Sequence, residues 1–178
     1  GEPARTALMK NVIGVLPGRK PELKGQNVVI AAHYDHLGTG WPESRNKGEG
    51  KVHPGADDNA SGVAALIELA RVIANGPQPD RTIVFVAFAG EEAGRRGSKY
   101  YIANKRRYPA AQCIGMVNLD TIGRLGKKKL LVLGAGSAKE WVQLVRRAGL
   151  AANVEIEISS VELDAGDQRS FQEAGVPA

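Results

Sequence analysis

The feature that most limits the possible folds of this chain is its alternation of two kinds of segment. Short runs rich in Val and Ile alternate with longer segments in which apolar residues recur at helical spacing. Four of the runs are almost unbroken, as expected for strands that helices cover on both faces. This order predicts an α/β fold with a mixed, mainly parallel central sheet between two layers of helices. The four runs are residues 28–32, 83–89, 114–119 and 130–133.

Three weaker patterns extend this prediction. Residues 11–16 form another apolar run, and residues 154–158 alternate between apolar side chains and glutamates, which is typical of a half-exposed strand near a sheet edge. Residues 175–178 indicate the beginning of one more strand. Because domains seldom end on the first residues of an apolar strand, we expect this chain to be incomplete at its C-terminus.

The clearest helical pattern lies at residues 63–73. The polar residues Asp58 and Asn59 precede this apolar stripe, and Gly76 follows it as a stop signal. The longest stretch without either periodicity is residues 38–55, which we predict to be a loop.

A second helical stripe covers residues 141–148. We expect Ser137 to cap this helix and Gly149 to end it. Two shorter helices are predicted, one near Ser98 and one capped by Asp167.

Composition and charge exclude several classes of function. The 178 residues carry 24 Lys and Arg against 19 Asp and Glu, a net charge of +5. The basic residues form short clusters without an aromatic platform, so we predict no nucleic-acid partner. The single cysteine, Cys113, excludes an internal disulfide and a cysteine zinc cluster. No apolar stretch approaches the roughly 20 residues of a membrane span. The basic clusters are residues 95–96, 105–107 and 127–129.

Three predicted strands end on side chains that bind metals or carry out acid–base chemistry. Because the carboxyl ends of parallel strands meet at one edge of a sheet, we expect these side chains to lie close together. They are His33 with Asp35, Glu91 with Glu92, and Asp120.

A fourth group of this kind lies at the start of the first helix. Residues 55–62 bring Asp57 and Asp58 there among small residues that permit close backbone approach. A histidine and several carboxylates are the ligands of hydrolytic zinc sites, and one carboxylate can bridge two cations. Two ions therefore fit this set better than one.

Each of these residues also has a purely structural explanation. Asp58 can cap a helix, the Glu pair can complement a first helical turn, and Asp120 can begin a turn. His33 can be a core histidine with satisfied hydrogen bonds. Because all of these explanations would have to hold together, we favour a metal centre. With His33, Asp58, Glu92 and Asp120 as ligands, Glu91 is left over as a general base.

Four ordered motifs resemble those of the co-catalytic dizinc aminopeptidases of the bacterial leucyl aminopeptidase and aminopeptidase S type. Relatives of that family include glutamate carboxypeptidase and glutaminyl cyclase. The resemblance covers most of the chain and implies a single catalytic peptidase domain over residues 1–178, incomplete at the C-terminus. It also implies the three-layer, phosphorylase/hydrolase-like fold of the zinc exopeptidases. The motifs are His33-Tyr34-Asp35-His36-Leu37-Gly38, residues 55–62, Gly90-Glu91-Glu92-Ala93-Gly94 and Asn118-Leu119-Asp120.

The resemblance implies a role for each site residue. His33 and Asp120 bind one zinc ion, Glu92 binds the other, and Asp58 bridges the two. Glu91 is the general base in the hydrolysis of N-terminal peptide bonds by a metal-bridging hydroxide.

The resemblance also implies the local geometry of the site and a metal ligand that this chain does not include. Asp35 is expected to orient His33, and the Asp58–Asn59 peptide to be cis. The family's second zinc takes a further histidine from beyond residues 175–178, so we expect two zinc ions in the complete enzyme and one or none in this chain. Many relatives have Ser-Asp-His where this chain has Gly166-Asp167-Gln168, which predicts a changed pocket wall.

The remaining histidines, His36 and His53, are expected near the first zinc site. The leading hypothesis is a zinc-dependent aminopeptidase that acts on peptides with a free N-terminus. A glutaminyl-cyclase-like enzyme with a single zinc and a non-catalytic, peptidase-like binding domain are the alternatives. The resemblance also implies a secreted or periplasmic location, whereas the preferred N-terminal residue and the oligomeric state do not follow from the sequence.

Overall fold

A computed structural model of the chain describes residues 8–40, 51–104, 108–126, 129–161 and 165–178. Residues 41–50 of the predicted loop lie outside these ranges, as do residues 105–107 and 127–128 of the predicted basic clusters. In the part of the chain that is described, no helix has the length and apolar character needed to cross a bilayer.

A four-stranded sheet lies at the centre of the fold. Its strands are β1 (Val12–Leu16), β2 (Asn27–His33), β3 (Thr82–Phe88) and β4 (Cys113–Asn118). They follow the order β1, β3, β2, β4, in which β2 is parallel to both of its neighbours and only the edge strand β1 is antiparallel. The prediction of a mixed, mainly parallel sheet is confirmed.

Two short parallel strands form a second sheet, β5 (Leu130–Val132) and β6 (Ile156–Ile158). In β6 the two isoleucines are half-buried and Glu157 is exposed, as the alternating pattern predicts. The predicted strand start at residues 175–178 lies beside β4, where Met116 N–H donates to the Pro177 carbonyl oxygen at 2.8 Å.

Helices cover both faces of the four-stranded sheet. Helix α1 (Gly62–Asn75) packs against Phe85 of β3 through Leu66. On the other face, α2 (Arg96–Ala103) and α4 (Gln168–Glu173) bring Tyr101 and Phe171 against Phe88, with ring centroids 5.7 to 6.2 Å apart. Because successive strand residues point to opposite faces, Phe85 and Phe88 belong to different layers.

The predicted end of the third helix is wrong. Helix α3 (Glu140–Ala152) continues through Gly149, and Asn153 follows it in the left-handed conformation with φ of 52°. A Cβ atom on Gly149 would lie 2.6 Å from Cδ1 of Ile156. The glycine therefore allows α3 to approach β6 closely and does not stop the helix.

Two predicted side-chain caps are also wrong. The Ser137 hydroxyl bonds the backbone of Ala178 and not the first turn of α3. Asp167 precedes α4 as expected, but its carboxylate accepts no hydrogen bond from that helix.

Candidate metal centre

The ends of three adjacent strands bring the predicted side chains together. His33 is the last residue of β2, Glu91 and Glu92 follow β3, and Asp120 follows β4. Because β2 lies between β3 and β4 and is parallel to both, these side chains reach one edge of the sheet.

Asp58 reaches the same edge from the irregular helical turn Ala56–Ser61, which precedes α1. The backbone of Asp58 and Asn59 is not helical, and the peptide bond between them is cis, as the resemblance implies. The buried Asn59 amide donates to Leu119 O at 2.9 Å, and its oxygen accepts Gly62 N–H at 3.1 Å and Thr121 N–H at 3.3 Å. These hydrogen bonds hold Asp58 beside the end of β4.

The first group of possible metal ligands surrounds His33. Its Nε2 atom lies 3.3 Å from Asp58 Oδ1 and 3.6 Å from Asp120 Oδ1. Neighbouring ligand atoms of a tetrahedral zinc ion are about 3.3 Å apart, because zinc binds nitrogen and oxygen at about 2.0 to 2.2 Å. These three residues therefore have the spacing of a zinc site.

The second group contains a residue that the sequence analysis assigned differently. His36 Nδ1 lies 2.8 Å from Glu92 Oε1 and 3.8 Å from Asp58 Oδ1. Within each of the two groups, the ligand atoms all lie within 4.8 Å of one another. His36 was expected near the first site, but the structure places it beside Glu92, in the irregular segment that follows the end of β2 at His33.

A buried oxygen atom connects the two groups. Asp58 Oδ1 faces both imidazoles, is inaccessible to solvent and accepts no hydrogen bond among the described residues. A buried carboxylate oxygen without a donor is costly unless a cation compensates it. The donor set of two histidines and three carboxylates with one shared oxygen therefore fits a pair of divalent cations, zinc above all.

The carboxylates around His33 change its protonation. Burial lowers the pKa of this histidine, but the hydrogen bond and charge of Asp120, together with the charges of Glu91 and Asp35, outweigh burial and raise the pKa to about 9. Without a metal, a proton therefore occupies the nitrogen that a cation would bind, and the two compete.

Glu91 differs from Asp58, Glu92 and Asp120 because it belongs to neither group. Burial raises the pKa of Glu91 to about 7; the charge of His33 opposes this shift, and the charges of Asp167 and Glu92 add to it. A carboxylate whose pKa lies near neutrality can both accept and donate a proton.

Asp35 makes a different contact from the one expected. His33 Nδ1 bonds the backbone oxygen of Asp35 at 3.1 Å, whereas the nearest carboxylate oxygen is 3.8 Å away. The carboxylate accepts Glu91 N–H at 3.1 Å and Glu92 N–H at 3.2 Å. Asp35 thus holds His33 through its main chain and the two glutamates through its side chain.

The sequence did not predict that Asp167 would influence the site, where its charge helps to raise the pKa of Glu91. Asp167 is fully buried, and burial raises the pKa of its carboxyl group to about 6. Its neighbour Gln168 accepts a hydrogen bond from Asn118, two residues before Asp120, at 3.1 Å. Apart from the Gly166-Asp167-Gln168 motif, no periodicity in the sequence marks Asp167 as part of the site.

A hollow of about 410 Å³ opens beside the second group, lined by Tyr34, His36, Gly55 and the first turns of α1. A larger one, of about 660 Å³, lies between residues 8–13 and α2 and includes no residue of either group. The smaller hollow is the one that adjoins the candidate metal centre.

Comparison with known proteins identifies the family. Residues 11–178 match peptidase family M28. The chain belongs to this family. The M28 chain is 31% identical to aminopeptidase YwaD of Bacillus subtilis over 172 residues. This alignment covers 94% of the chain and 34% of YwaD. The chain is also 35% identical over 122 residues to leucine aminopeptidase 1 of Trichophyton equinum, covering 64% of the chain and 29% of that protein.

Solved structures agree with this assignment. The M28 chain superimposes on BSAP, a zinc aminopeptidase from Bacillus subtilis, with a TM-score of 0.72 and 29% identity over 93% of the chain and 38% of BSAP. A glutaminyl cyclase from an Acidobacteriales bacterium shares the fold, with a TM-score of 0.72 and 22% identity over 95% of the chain and 56% of the cyclase. The chain thus spans about a third of the length of the curated aminopeptidases it matches.

Proposed function

We propose that the protein containing this chain is a zinc-dependent aminopeptidase with two zinc ions. The observation that carries the proposal is the pair of ligand groups that share Asp58, with the unshared carboxylate of Glu91 beside them. The relatives of this chain include a zinc aminopeptidase and a leucine aminopeptidase, which supports the same reaction class.

The site residues have two roles, because some would be zinc ligands and Glu91 would be the general base. His33 and Asp120 would hold the first zinc ion, and Glu92 would hold the second. Asp58, which belongs to both ligand groups, would contact both ions. Zinc, when bound, lowers the pKa of a water ligand to about 7 and polarises the carbonyl oxygen of the substrate.

Glu91 moves the proton in this proposal. As the water oxygen bonds to the carbonyl carbon, the Glu91 carboxylate takes its proton. The carbon–nitrogen bond of the peptide then breaks, and Glu91 passes the proton to the leaving amine. The raised pKa of Glu91, about 7, suits both halves of this cycle.

Asp35 keeps the proton carrier in place. By accepting the N–H groups of Glu91 and Glu92, its carboxylate fixes the backbone that carries both side chains. The general base and a zinc ligand therefore keep a constant separation while the substrate binds.

The test combines a metal count with a set of matched peptides. The zinc-loaded full-length protein is given one peptide with a free N-terminal leucine, the same peptide with an acetylated N-terminus, and one that begins with glutamine. We expect two zinc ions per chain and release of the N-terminal residue from the free leucine peptide but not from the acetylated one.

Other outcomes identify the alternatives. Ring closure of the N-terminal glutamine with one zinc per chain favours a glutaminyl cyclase. A protein that binds no zinc and cleaves none of the peptides is a peptidase-like binding domain, and the proposal is then wrong.

A further inference from the structure

We propose that Asn11 is a positioning residue for the general base Glu91, because its side chain joins the two ends of the turn that carries Glu91 and Glu92. This turn, residues 89–97, begins after the last residue of β3 and ends in the first turn of α2, and we call it the glutamate turn. The inference rests on the proposed function, since it assigns a residue that keeps the proton carrier in place.

The side-chain amide of Asn11 bonds both ends of the glutamate turn. Its oxygen accepts Ala89 N–H at 3.1 Å, and its nitrogen donates to the Gly97 carbonyl oxygen at 2.9 Å. These partners lie 78 and 86 residues away along the chain, so no local sequence pattern indicates the contact. A single amide group therefore sets the separation between the first and the last residue of the turn.

Strand pairing brings Asn11 to this place. Strand β1 is antiparallel to β3 and Val12 pairs with Ala87, so the residue before β1 lies beside the end of β3. Five residue pairs, from Val12 with Ala87 to Leu16 with Ile83, already hold β1 against β3. The side chain of Asn11 is not part of that pairing, and it acts on the segment beyond the end of β3.

Two glycines allow the chain before β1 to lie directly against the glutamate turn. A Cβ atom on Gly97 would overlap the Ala89 carbonyl oxygen and would lie 2.5 Å from Asn11 Oδ1. Gly90 has a φ of 68°, and a Cβ atom there would lie 2.6 Å from the sulfur of Met9. The close packing leaves the ends of the turn little room to shift while the amide is in place.

Hydrogen bonds inside the turn connect its ends to Glu91. Arg95 N–H donates to the Glu91 carbonyl oxygen at 2.8 Å, and Arg96 N–H donates to the Gly90 carbonyl oxygen at 2.8 Å. The Asp35 carboxylate holds only the middle of the turn, where it accepts the N–H groups of the two glutamates. A displacement of either end would therefore move the backbone of Glu91 relative to the metal centre.

A purely structural role is the competing explanation, in which Asn11 adds stability and nothing more. Both explanations predict that Asn11→Ala unfolds more easily, but only positioning predicts a slower reaction in protein that is folded and loaded with zinc. The matched control is Gln26→Ala. Gln26 accepts a hydrogen bond from Arg81 Nε at 2.7 Å and so joins the starts of β2 and β3, at the opposite end of the sheet from the metal centre.

The first measurement is steady-state kinetics of the zinc-loaded, full-length protein on a leucine peptide, well below the melting temperature of each variant. Because a small displacement of a catalytic group slows the chemical step, we expect kcat of Asn11→Ala to fall about 10- to 100-fold. Zinc content and KM should not change, since Asn11 contacts neither the ligands nor the substrate. Gln26→Ala should retain the kcat of the unmodified protein. Asn11→Asp keeps the acceptor of Ala89 N–H and should lose less than Asn11→Ala.

The second measurement needs neither zinc nor activity. Hydrogen–deuterium exchange of the metal-free protein, followed by mass spectrometry, reports how firmly the glutamate turn is held. We expect the amide protons of residues 89–97 to exchange faster in Asn11→Ala than in the unmodified protein, and at an unchanged rate in Gln26→Ala.

An unchanged kcat in folded, zinc-loaded Asn11→Ala, or unchanged exchange in the glutamate turn, would overturn the inference. An equal loss of kcat in Gln26→Ala would also overturn it, because destabilisation alone would then explain the effect. If Asn11→Ala does not fold, Asn11→Asp decides, since a reduced kcat supports positioning and an unchanged kcat contradicts it. The failures are distinguishable: an unmodified protein that cleaves no peptide contradicts the proposed function, whereas a fully active Asn11→Ala contradicts only the role of Asn11.

Discussion

The side-chain amide of Asn59 donates a hydrogen bond to the carbonyl oxygen of Leu119, 60 residues further along the chain. The same buried side chain accepts the N–H groups of Gly62 and Thr121. One residue thereby joins the start of α1 to the end of β4. The metal-ligand candidate next to it, Asp58, is brought to the end of the sheet by this connection.

The first prediction concerns that connection. Asn59→Ala removes the side-chain partner of the Leu119 carbonyl oxygen and of Thr121 N–H, whereas Gly62 N–H keeps its bond to the backbone oxygen of residue 59. Each buried unsatisfied group costs about 1 to 3 kcal/mol. Because part of the loss is recovered by water, we expect the free energy of unfolding to fall by about 2 to 4 kcal/mol in urea titrations. Asn75→Ala removes an exposed amide that donates to the Arg71 carbonyl oxygen, and should cost less than about 1 kcal/mol. Equal effects of the two substitutions would contradict this account.

The second prediction concerns Asp35. Asp35→Ala removes the acceptor of the Glu91 and Glu92 N–H groups, so that the backbone carrying both glutamates loosens. We expect peptide hydrolysis by the zinc-loaded protein to fall about 10- to 100-fold, as for other residues that orient metal ligands. Asp35→Asn, which retains one acceptor oxygen, should lose less activity than Asp35→Ala. Steady-state kinetics on a leucine peptide measure both, and unchanged activity in Asp35→Ala would remove Asp35 from this role.

The third prediction separates the general base from the metal ligands. Glu91→Gln should retain the zinc content of the unmodified protein, because Glu91 belongs to neither ligand group, and should lose about 10²- to 10⁴-fold in kcat. Glu22→Gln, an exposed residue in the turn Pro21–Leu23, is the matched control and should change neither. A Glu91→Gln protein with normal turnover, or one that has lost zinc, contradicts the assignment.

The fourth prediction is a pH dependence of the metal-free protein. Folding raises the pKa of Glu91 from 4.5 to about 7 and that of Asp167 from 3.8 to about 6, chiefly by burial. The folded state therefore binds more protons than the unfolded state in these ranges, and stability falls as the pH rises through them. Folding also raises the pKa of His33 from 6.5 to about 9. Its stabilising contribution is present below pH 6.5 and is lost as the pH rises to about 9.

All three shifts act in the same direction. We expect the melting temperature of the chelator-treated protein to fall as the pH rises from about 5 to 9, in differential scanning calorimetry. Added zinc should raise the melting temperature more at pH 8 than at pH 6, because protons compete with the metal for His33. Asp167→Asn should flatten the metal-free curve between pH 4 and 6, since its carboxyl group no longer titrates. A melting temperature that rises from pH 5 to 8 without metal would contradict these assignments.

Much of the fold was predictable because the buried face of a helix or strand requires apolar residues at a regular spacing, which the sequence shows directly. The apolar runs that became β2 and β3 are buried or half-buried along their whole length, and the stripe of α1 faces one layer only. The run that became β4 was expected to be covered on both faces, but its Ile114 and Val117 are exposed. Strand-end geometry then predicted that His33, the glutamate pair and Asp120 would meet. The end of α3 was mispredicted because Gly149 has the same local appearance whether it stops a helix or lets a strand approach.

The amino-acid sequence by itself determined which strands end on metal-binding and acid–base side chains, because periodicity and residue type are properties of single segments. Only the tertiary structure decided that His36 faces Glu92, that the main chain of Asp35 holds His33, and that Asn59 ties α1 to β4. These contacts join atoms that are brought together by strand order and by the turns after each strand. The direction of a side chain in such a turn depends on distant neighbours, and no local pattern records them.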